Sequence, residues 1–401
     1  MNDKKIEEFI LERLNFFKKN QDYGKRSNQF EYNHFCYKIN QTITKLVNED
    51  YANLTIAIKT PNPIGDHFWG DYFFAKGLKK QFEKKGLNVL IHERQNWYND
   101  ENQVDIVLVL RGLVRYNPKQ EHINIMWNIS HPDLITNEEY SDFDIVFICS
   151  ETYANKISNK INTIVKPLLQ CTDPEVFYNQ YNPDFTNEIL FVGSTRGVFR
   201  KIIQDISQTS HPFSVYGPNW EKFIDEKHHK GNFIDNDKLN QAYSSCKILL
   251  NDHWEDMLKN DFPSNRLFDA LACGTFVISD EIPSAATIFQ GTVITYSDSK
   301  DLDKKISYYL KNNHERIEKA KKGQKLVLEN HTFQNRVETI LETLKLLKNL
   351  NLSFNMIDSL FENYNFLKIM YYEDYNTLYN EIKLLKDKNK KLLTEKKYTK
   401  N

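Results

Sequence analysis

The sequence predicts an α/β protein built from two Rossmann-like, doubly wound domains, with helical extensions at both ends. Three observations carry this. Short Val/Ile/Leu runs at 104–110, 123–129 and 145–150 alternate with helix-periodic stretches, the pattern of parallel strands covered on both faces. The alternation begins near residue 51, lapses at 170–186 and then restarts. Finally, 401 residues exceed one ordinary core, while 40% hydrophobic and 27% charged residues exclude wholesale disorder.

Taken in order, residues 1–50 read as a helical extension, with Ile6, Phe9, Ile10, Leu14 and Phe17 spaced along one helix face. Residues 51–170 form the first domain: a strand at 54–59, a helix at 72–85 closed by Gly86, then strands at 89–92, 104–110, 123–129 and 145–150. The stretch 170–186, with Pro174 and Pro183, reads as the hinge. Residues 171–350 hold the second domain. Its strands are expected at 189–193, 213–216, 248–251, 276–279 and 293–295, its helices at 198–207, 237–245 and Asn265–Ala272, with three closing helices beyond 301. Residues 351–401 lose the alternation and end in lysines, among them Lys390, Lys391, Lys396 and Lys397. That tail reads as a solvated helix or coiled coil, or alternatively as a basic helix facing a protein partner or an anionic membrane.

Composition narrows the function classes. A net charge of −1 offers no global field for nucleic acid, so none is expected as a partner. No apolar run approaches the length of a membrane span, and the acidic N-terminus lacks a signal-type apolar segment. A cytoplasmic location is expected, with membrane association through the tail as the alternative. Five cysteines without CxxC spacing read as core filler rather than a metal or disulfide framework.

In open parallel sheets, ligands bind beyond the carboxyl ends of the strands, and four loops there carry chemistry. The first, 61–71, holds Asp66, His67 and Asp71 as acid/base or hydroxyl-binding groups, or as helix caps. In the second, His131 sits between Ser130 and Pro132, either a general base or a turn histidine bonded to backbone. The third follows a strand with Gly193, Arg196, Gly197 and Arg200, suited to a diphosphate or to surface ion pairs. The fourth runs from Asn251 through Trp254 and Asp256 to Asp261, Asn265, Arg266 and Asp269. A helix starting near Ser264 would aim free amides and Arg266 at an anion, with Asp269 a turn deeper for ribose hydroxyls. A plain Arg266–Asp269 ion pair is the alternative.

This last segment resembles the group 1 glycosyltransferases of GT-B fold, and their CgeB-like (spore-maturation-type) branch in particular. Their acidic-x7-acidic motif is matched by Asp261 and Asp269, and the small-residue helix end by Ala270 to Gly274. Asn265-Arg266 matches the branch's Asn-Arg. The likeness extends to 191–196, 331–336, Trp69–Asp71 and Ser130–Pro132, hence over about residues 51–350.

The resemblance implies a glycosyltransferase that moves sugar from a nucleotide-sugar to a glycan or related acceptor in surface polysaccharide or glycoconjugate synthesis. No permanently bound cofactor and no metal would be needed. Asp269 would bind ribose, Arg196 with Arg200 or Arg266 the phosphates, and Asp261 takes the family's first acidic position. Both acids are Asp where Glu is usual, and no Gly-rich loop separates them, so a retaining mechanism is not inherited. Asp66 and His131 stand as alternative bases. A non-catalytic glycan- or partner-binding module and an epimerase-like nucleotide-sugar enzyme are the rival classes. Asp235-Asn-Asp237 is expected to cap a helix rather than hold a metal.

Overall fold

The computed structural model describes residues 28–66, 69–99, 103–119 and 121–348. The helical face expected at 6–17, His67 and the Lys-rich tail at 351–401 lie outside the described residues. Helix α1 (Asn28–Val47) buries Ile39, Ile43 and Leu46, and the Lys38 ammonium donates to the Val104 carbonyl at 2.6 Å.

The first sheet is built from β1 (Thr55–Lys59), β2 (Asn88–His92), β3 (Ile106–Arg111), β4 (Ile123–Asn128), β5 (Ile145–Ile148) and β6 (Ile164–Pro167). All pairs are parallel, in the order β2-β1-β3-β4-β5-β6. Helices α2 (Gly70–Lys84), α3 (Asn137–Ser141) and α4 (Glu151–Ser158) supply the crossovers. Every residue of β3 and β4 is buried, which is why those runs are apolar without alternation. Helix α2 is followed by Gly86 at φ 97°, the left-handed position that a glycine fills most cheaply. Ser150 does not extend its strand; its side chain accepts from Tyr153 N and caps α4.

The second sheet comprises β7 (Asn187–Val192), β8 (Ser214–Tyr216), β9 (His229–Gly231), β10 (Cys246–Asn251), β11 (Val277–Asp280) and β12 (Val293–Tyr296), again all parallel. Its order is β12-β11-β10-β7-β8-β9. Around it lie α5 (Lys201–Ile206), α6 (Leu239–Ser244), α7 (Glu255–Lys259), α8 (Asn265–Ala272), α9 (Ala285–Ile288), α10 (Ser299–Lys311) and α11 (Asn313–Asn330), and α12 (Phe333–Lys345) follows. One core joins Leu267, Phe268 and Leu271 of α8 to Leu249, Val277 and Val327. On the other, Ile202, Ile203 and Ile206 of α5 meet Ile248, Ile278 and Ile306. Each such fully buried side chain contributes about 1.5–3 kcal/mol. The expected double coverage of both sheets is therefore present.

The chain finally returns to the first sheet's helices. Phe333 of α12 lies against Phe74 with ring centroids 4.7 Å apart and occupies the space above Gly77. Arg336 donates to the carbonyls of Leu169 at 2.7 Å and Gln170 at 3.1 Å, pinning the segment between the two sheets. Strand order reverses between β1 and β3 in one sheet and between β7 and β10 in the other, which opens a crevice at each point. Among the described residues no helix is long and apolar enough to cross a membrane.

Candidate functional site

The crevice between β7 and β10 is lined with guanidinium groups. Beyond β7 the chain passes Gly193, where an added Cβ would lie 2.9 Å from Arg200 Nη1 and 3.1 Å from Arg266 Nη2. Glycine is thus what lets two cations lie across the strand end. The Phe191 ring supports both, at 4.6 Å from the Arg200 guanidinium carbon and 5.4 Å from that of Arg266.

The arginines differ in how they are used. Arg200 is buried; its Nε donates to Asp252 Oδ2 at 2.9 Å, its Nη2 to Asp252 Oδ1, and its Nη1 to the Ser194 carbonyl at 2.9 Å. Those donors are committed to the fold. Arg196, in left-handed backbone at φ 58°, lays its guanidinium over the Trp254 ring at 4.1 Å. Among the described residues no carboxylate is in ion-pair contact with it. Burial, together with the nearby charges of Arg200 and Arg266, pushes its pKa down. Arg266 donates to Asn251 Oδ1 at 2.9 Å and likewise meets no carboxylate.

Helix α8 places the next residues. The Arg266–Asp269 ion pair is not formed; Asp269 Oδ2 accepts instead from Asn265 Nδ2 at 2.8 Å. Burial pushes the Asp269 carboxyl up to about 8, against the hydrogen bond from Asn265 and the charge of Arg266. Asn265 Oδ1 is buried without a hydrogen-bond partner. Both residues line a cavity of about 580 Å³ shared with Phe73, Phe74 and Gly77 of α2, Phe177, Asn236 and Asp237. The lining also carries Lys80 and Asp173, and a cleft that combines phenylalanine rings with polar side chains suits a nucleoside.

Asp261 is placed differently from Asp269. It is buried in left-handed backbone at φ 63°, its Oδ1 accepting from Ser284 N at 2.9 Å and its Oδ2 from Thr152 Oγ1 at 3.3 Å. It therefore ties α4 of the first domain to the second.

Across the crevice, His131 also has left-handed backbone, at φ 51°. Its ring meets Trp254 edge-on at 5.0 Å, and Nδ1 lies 3.4 Å from Asp256 Oδ2. Burial lowers its pKa, an effect opposed by Asp256 and reinforced by Arg196 and Arg111. Asp66 is half-buried in a turn where its amide donates to the Pro63 carbonyl at 3.1 Å. That turn is anchored to Glu93, which accepts from Asn62 Nδ2 at 2.8 Å and Gly65 N at 3.2 Å. The structure thus brings His131 to the arginine cluster, while Asp66 sits in the turn that Glu93 anchors. Asp71 makes no cap hydrogen bond on α2, and burial raises its carboxyl to about 6. Asp235 does not cap through its side chain either, because Lys238 Nζ takes its carboxylate at 3.0 Å.

Three residues of the site have no role assigned by sequence reasoning. Trp254 is the aromatic platform between Arg196 and His131, Asp256 faces the imidazole, and Asp252 holds Arg200. The signal was the dense run 251–256 directly after an apolar strand. His253 belongs to the same run: its Nδ1 sits 2.6 Å from Asp280 Oδ1, and this contact holds the Asp280 carboxyl low despite burial. Among the described residues no cluster of three or more His, Cys, Asp or Glu side chains could hold a metal ion.

Residues 196–342 match the family model described as glycosyl transferase-like. No curated protein matches the sequence significantly. Among solved structures, the chain is similar to sucrose-phosphate synthase from Thermosynechococcus elongatus, with a TM-score of 0.54 at 12% identity over 74% of this chain and 99% of that one. HepE of Anabaena in complex with UDP-glucose gives a TM-score of 0.52 at 11% identity, covering 73% and 100%. AviGT4, a glycosyltransferase involved in avilamycin A biosynthesis, gives 0.51 at 13%, covering 73% and 97%. At such identities the likeness establishes the fold, which is GT-B.

Proposed function

We propose that this chain is a glycosyltransferase of the group 1, CgeB-like type, moving a sugar from a nucleotide-sugar to a glycan or related acceptor. The observation that carries the reading is the pair of guanidinium groups, Arg196 and Arg266, that meet no carboxylate at the β7–β10 switch point. Unpaired cations in a half-buried crevice are costly unless an anion arrives, and a diphosphate fits the forks.

In this reading Arg196 and Arg266 hold the diphosphate and stabilise the charge that develops as it leaves. Gly193 makes room for Arg266 and for Arg200, which with Asp252 fixes the floor beneath. Asp269 and Asn265 meet the ribose, and the base enters the aromatic cleft. Asp261 acts by holding the donor loop to α4. The guanidinium groups take the neutralising role that a metal fills in other transferases. His131 or Asp66 takes the acceptor proton. Surface polysaccharide or glycoconjugate synthesis in the cytoplasm is the matching role, with the basic tail as the means of membrane or partner attachment.

The test is a thermal-shift and calorimetric panel of UDP-, GDP-, CDP- and dTDP-sugars. UDP donors come first because the Anabaena relative was solved with UDP-glucose. One member of the panel should raise Tm, and Arg266→Ala should abolish that response while leaving the fold intact. Undiminished nucleotide binding by Arg266→Ala would sink the site assignment.

A further inference from the structure

We propose that Asp256, from the donor-side domain, orients His131, from the acceptor-side domain, so that the general base is assembled across the cleft from two halves. This rests on the proposed glycosyl transfer and selects His131 over Asp66 as the base.

The geometry is specific. The turn 129–134 is held in place by hydrogen bonds from Gln170 Nε2 to the Ile129 carbonyl at 2.6 Å, from Asn128 Nδ2 to the Ser130 carbonyl at 2.7 Å, and from Leu134 N to the His131 carbonyl at 3.1 Å. Only such over-determination keeps a non-glycine residue in left-handed backbone. The segment 254–261 then docks on this turn from the other domain. Asn260 Nδ2 donates to Asp133 Oδ1 at 2.9 Å and Lys259 Nζ to Asp133 Oδ2 at 3.2 Å. Docking sets Asp256 Oδ2 3.4 Å from His131 Nδ1 and puts Trp254 against the ring edge. Trp254 also carries the Arg196 guanidinium, so the imidazole and the proposed diphosphate site share one aromatic ring.

The charged groups facing His131 are Asp256 on α7, Arg196 in the loop after β7 and Arg111 at the end of β3. Burial and the two arginines favour the neutral ring, which a base requires. With Nδ1–H donated to Asp256, Nε2 keeps its lone pair. Nε2 accepts the proton of the acceptor hydroxyl while that oxygen bonds to the anomeric carbon. The bond from the anomeric carbon to the diphosphate oxygen breaks, its electron pair leaving with the nucleoside diphosphate beside Arg196. A single displacement of this kind inverts the anomeric configuration.

The experiment uses the full chain and its Asp256→Asn, Asp256→Glu and His131→Asn variants, with the nucleotide-sugar that the wild type turns over. Asp256→Asn should lower kcat roughly 100-fold and leave donor KM nearly unchanged, with Asp256→Glu recovering part of the loss. Because Asp256 raises the His131 pKa, the acidic limb of the kcat profile should move to lower pH in Asp256→Asn. Nitrogen-15 spectra of the histidines should show His131 protonated on Nδ1 in the wild type and a mixture of tautomers in Asp256→Asn. A kcat within twofold of wild type, an unmoved limb, or a His131 tautomer indifferent to the substitution overturns the dyad. So does His131→Asn raising donor KM with kcat intact, which would make His131 a phosphate ligand. Failure of the wild type to release nucleoside diphosphate from any activated sugar overturns glycosyl transfer itself. The tautomer still reports on the His131–Asp256 contact in that case.

Discussion

Arg196 and Arg200 stand four residues apart and look interchangeable in sequence, yet truncating them should have opposite consequences. Removing Arg196 takes away a guanidinium with no carboxylate partner and an otherwise costly burial, so the folded state loses only its stacking on Trp254, about 0.5–2 kcal/mol. The diphosphate, however, loses a charge-assisted hydrogen bond of about 1.5–3 kcal/mol, or roughly 10- to 150-fold in Kd. Removing Arg200 strands Asp252 in the interior with neither of its two bonds. Breaking a buried pair from one side costs about 3–5 kcal/mol, a fall in Tm of roughly 6–20 °C for a domain of this size. Calorimetric titration with the best nucleoside diphosphate, paired with thermal melts of both Ala variants, separates the two effects. Wild-type affinity in Arg196→Ala, or a wild-type melt in Arg200→Ala, would refute the division between a ligand arginine and a structural one.

Two further outcomes follow from the same geometry. A Cβ at Gly77 would lie 2.4–2.8 Å from the Phe333 ring, so Gly77→Ala should destabilise by about 1–3 kcal/mol in urea titration. Phe333→Leu in the same chain should return part of the loss; a Gly77→Ala chain as stable as wild type would contradict the packing described. Asp269 has its folded pKa raised to about 8 from an unfolded value near 4, so the native state holds a proton that the unfolded chain releases. Its contribution is fully present below pH about 4 and is lost as pH rises toward 8. Asp269→Asn should therefore gain stability relative to wild type across that window and level off above it. A pH-independent difference in Tm would count against a buried, protonated Asp269.

Much of the fold was legible because burial dictated composition. The fully buried strands β3 and β4 could only be runs of Ile, Val, Leu and Met with an occasional paired polar residue. The bounds of α8 were legible because Gly274, at φ 72°, terminates it and its apolar residues share one face. By contrast β9, three residues reading His-Lys-Gly with none buried, carries no hydrophobic signal, and β6 ends at Pro167 on a sheet edge. Helix α5 begins at Lys201, later than its apolar spacing suggests, because the residues before it are spent on the arginine loop. In the site, residue types could be read but pairings could not. Arg200 finds Asp252 fifty-two positions away, and Asp256 matters only because its segment docks on a turn from the other domain.

Those pairings decide the charge that a ligand would meet. Asp252 is engaged by Arg200 and Asp280 by His253, so neither acid is in ion-pair contact with Arg196 or Arg266. Asp269, the carboxyl nearest to Arg266 in sequence, is pushed up to about 8 and is largely protonated at neutral pH. The crevice therefore presents two guanidinium groups without a carboxylate in ion-pair contact, flanked by a neutral carboxyl that can both donate to and accept from hydroxyl groups. An anion with adjacent hydroxyls satisfies both features at once, whereas a lone phosphate leaves Asp269 and the orphaned Asn265 Oδ1 unanswered. That combination is what favours a nucleoside diphosphate over a simple anion at this site.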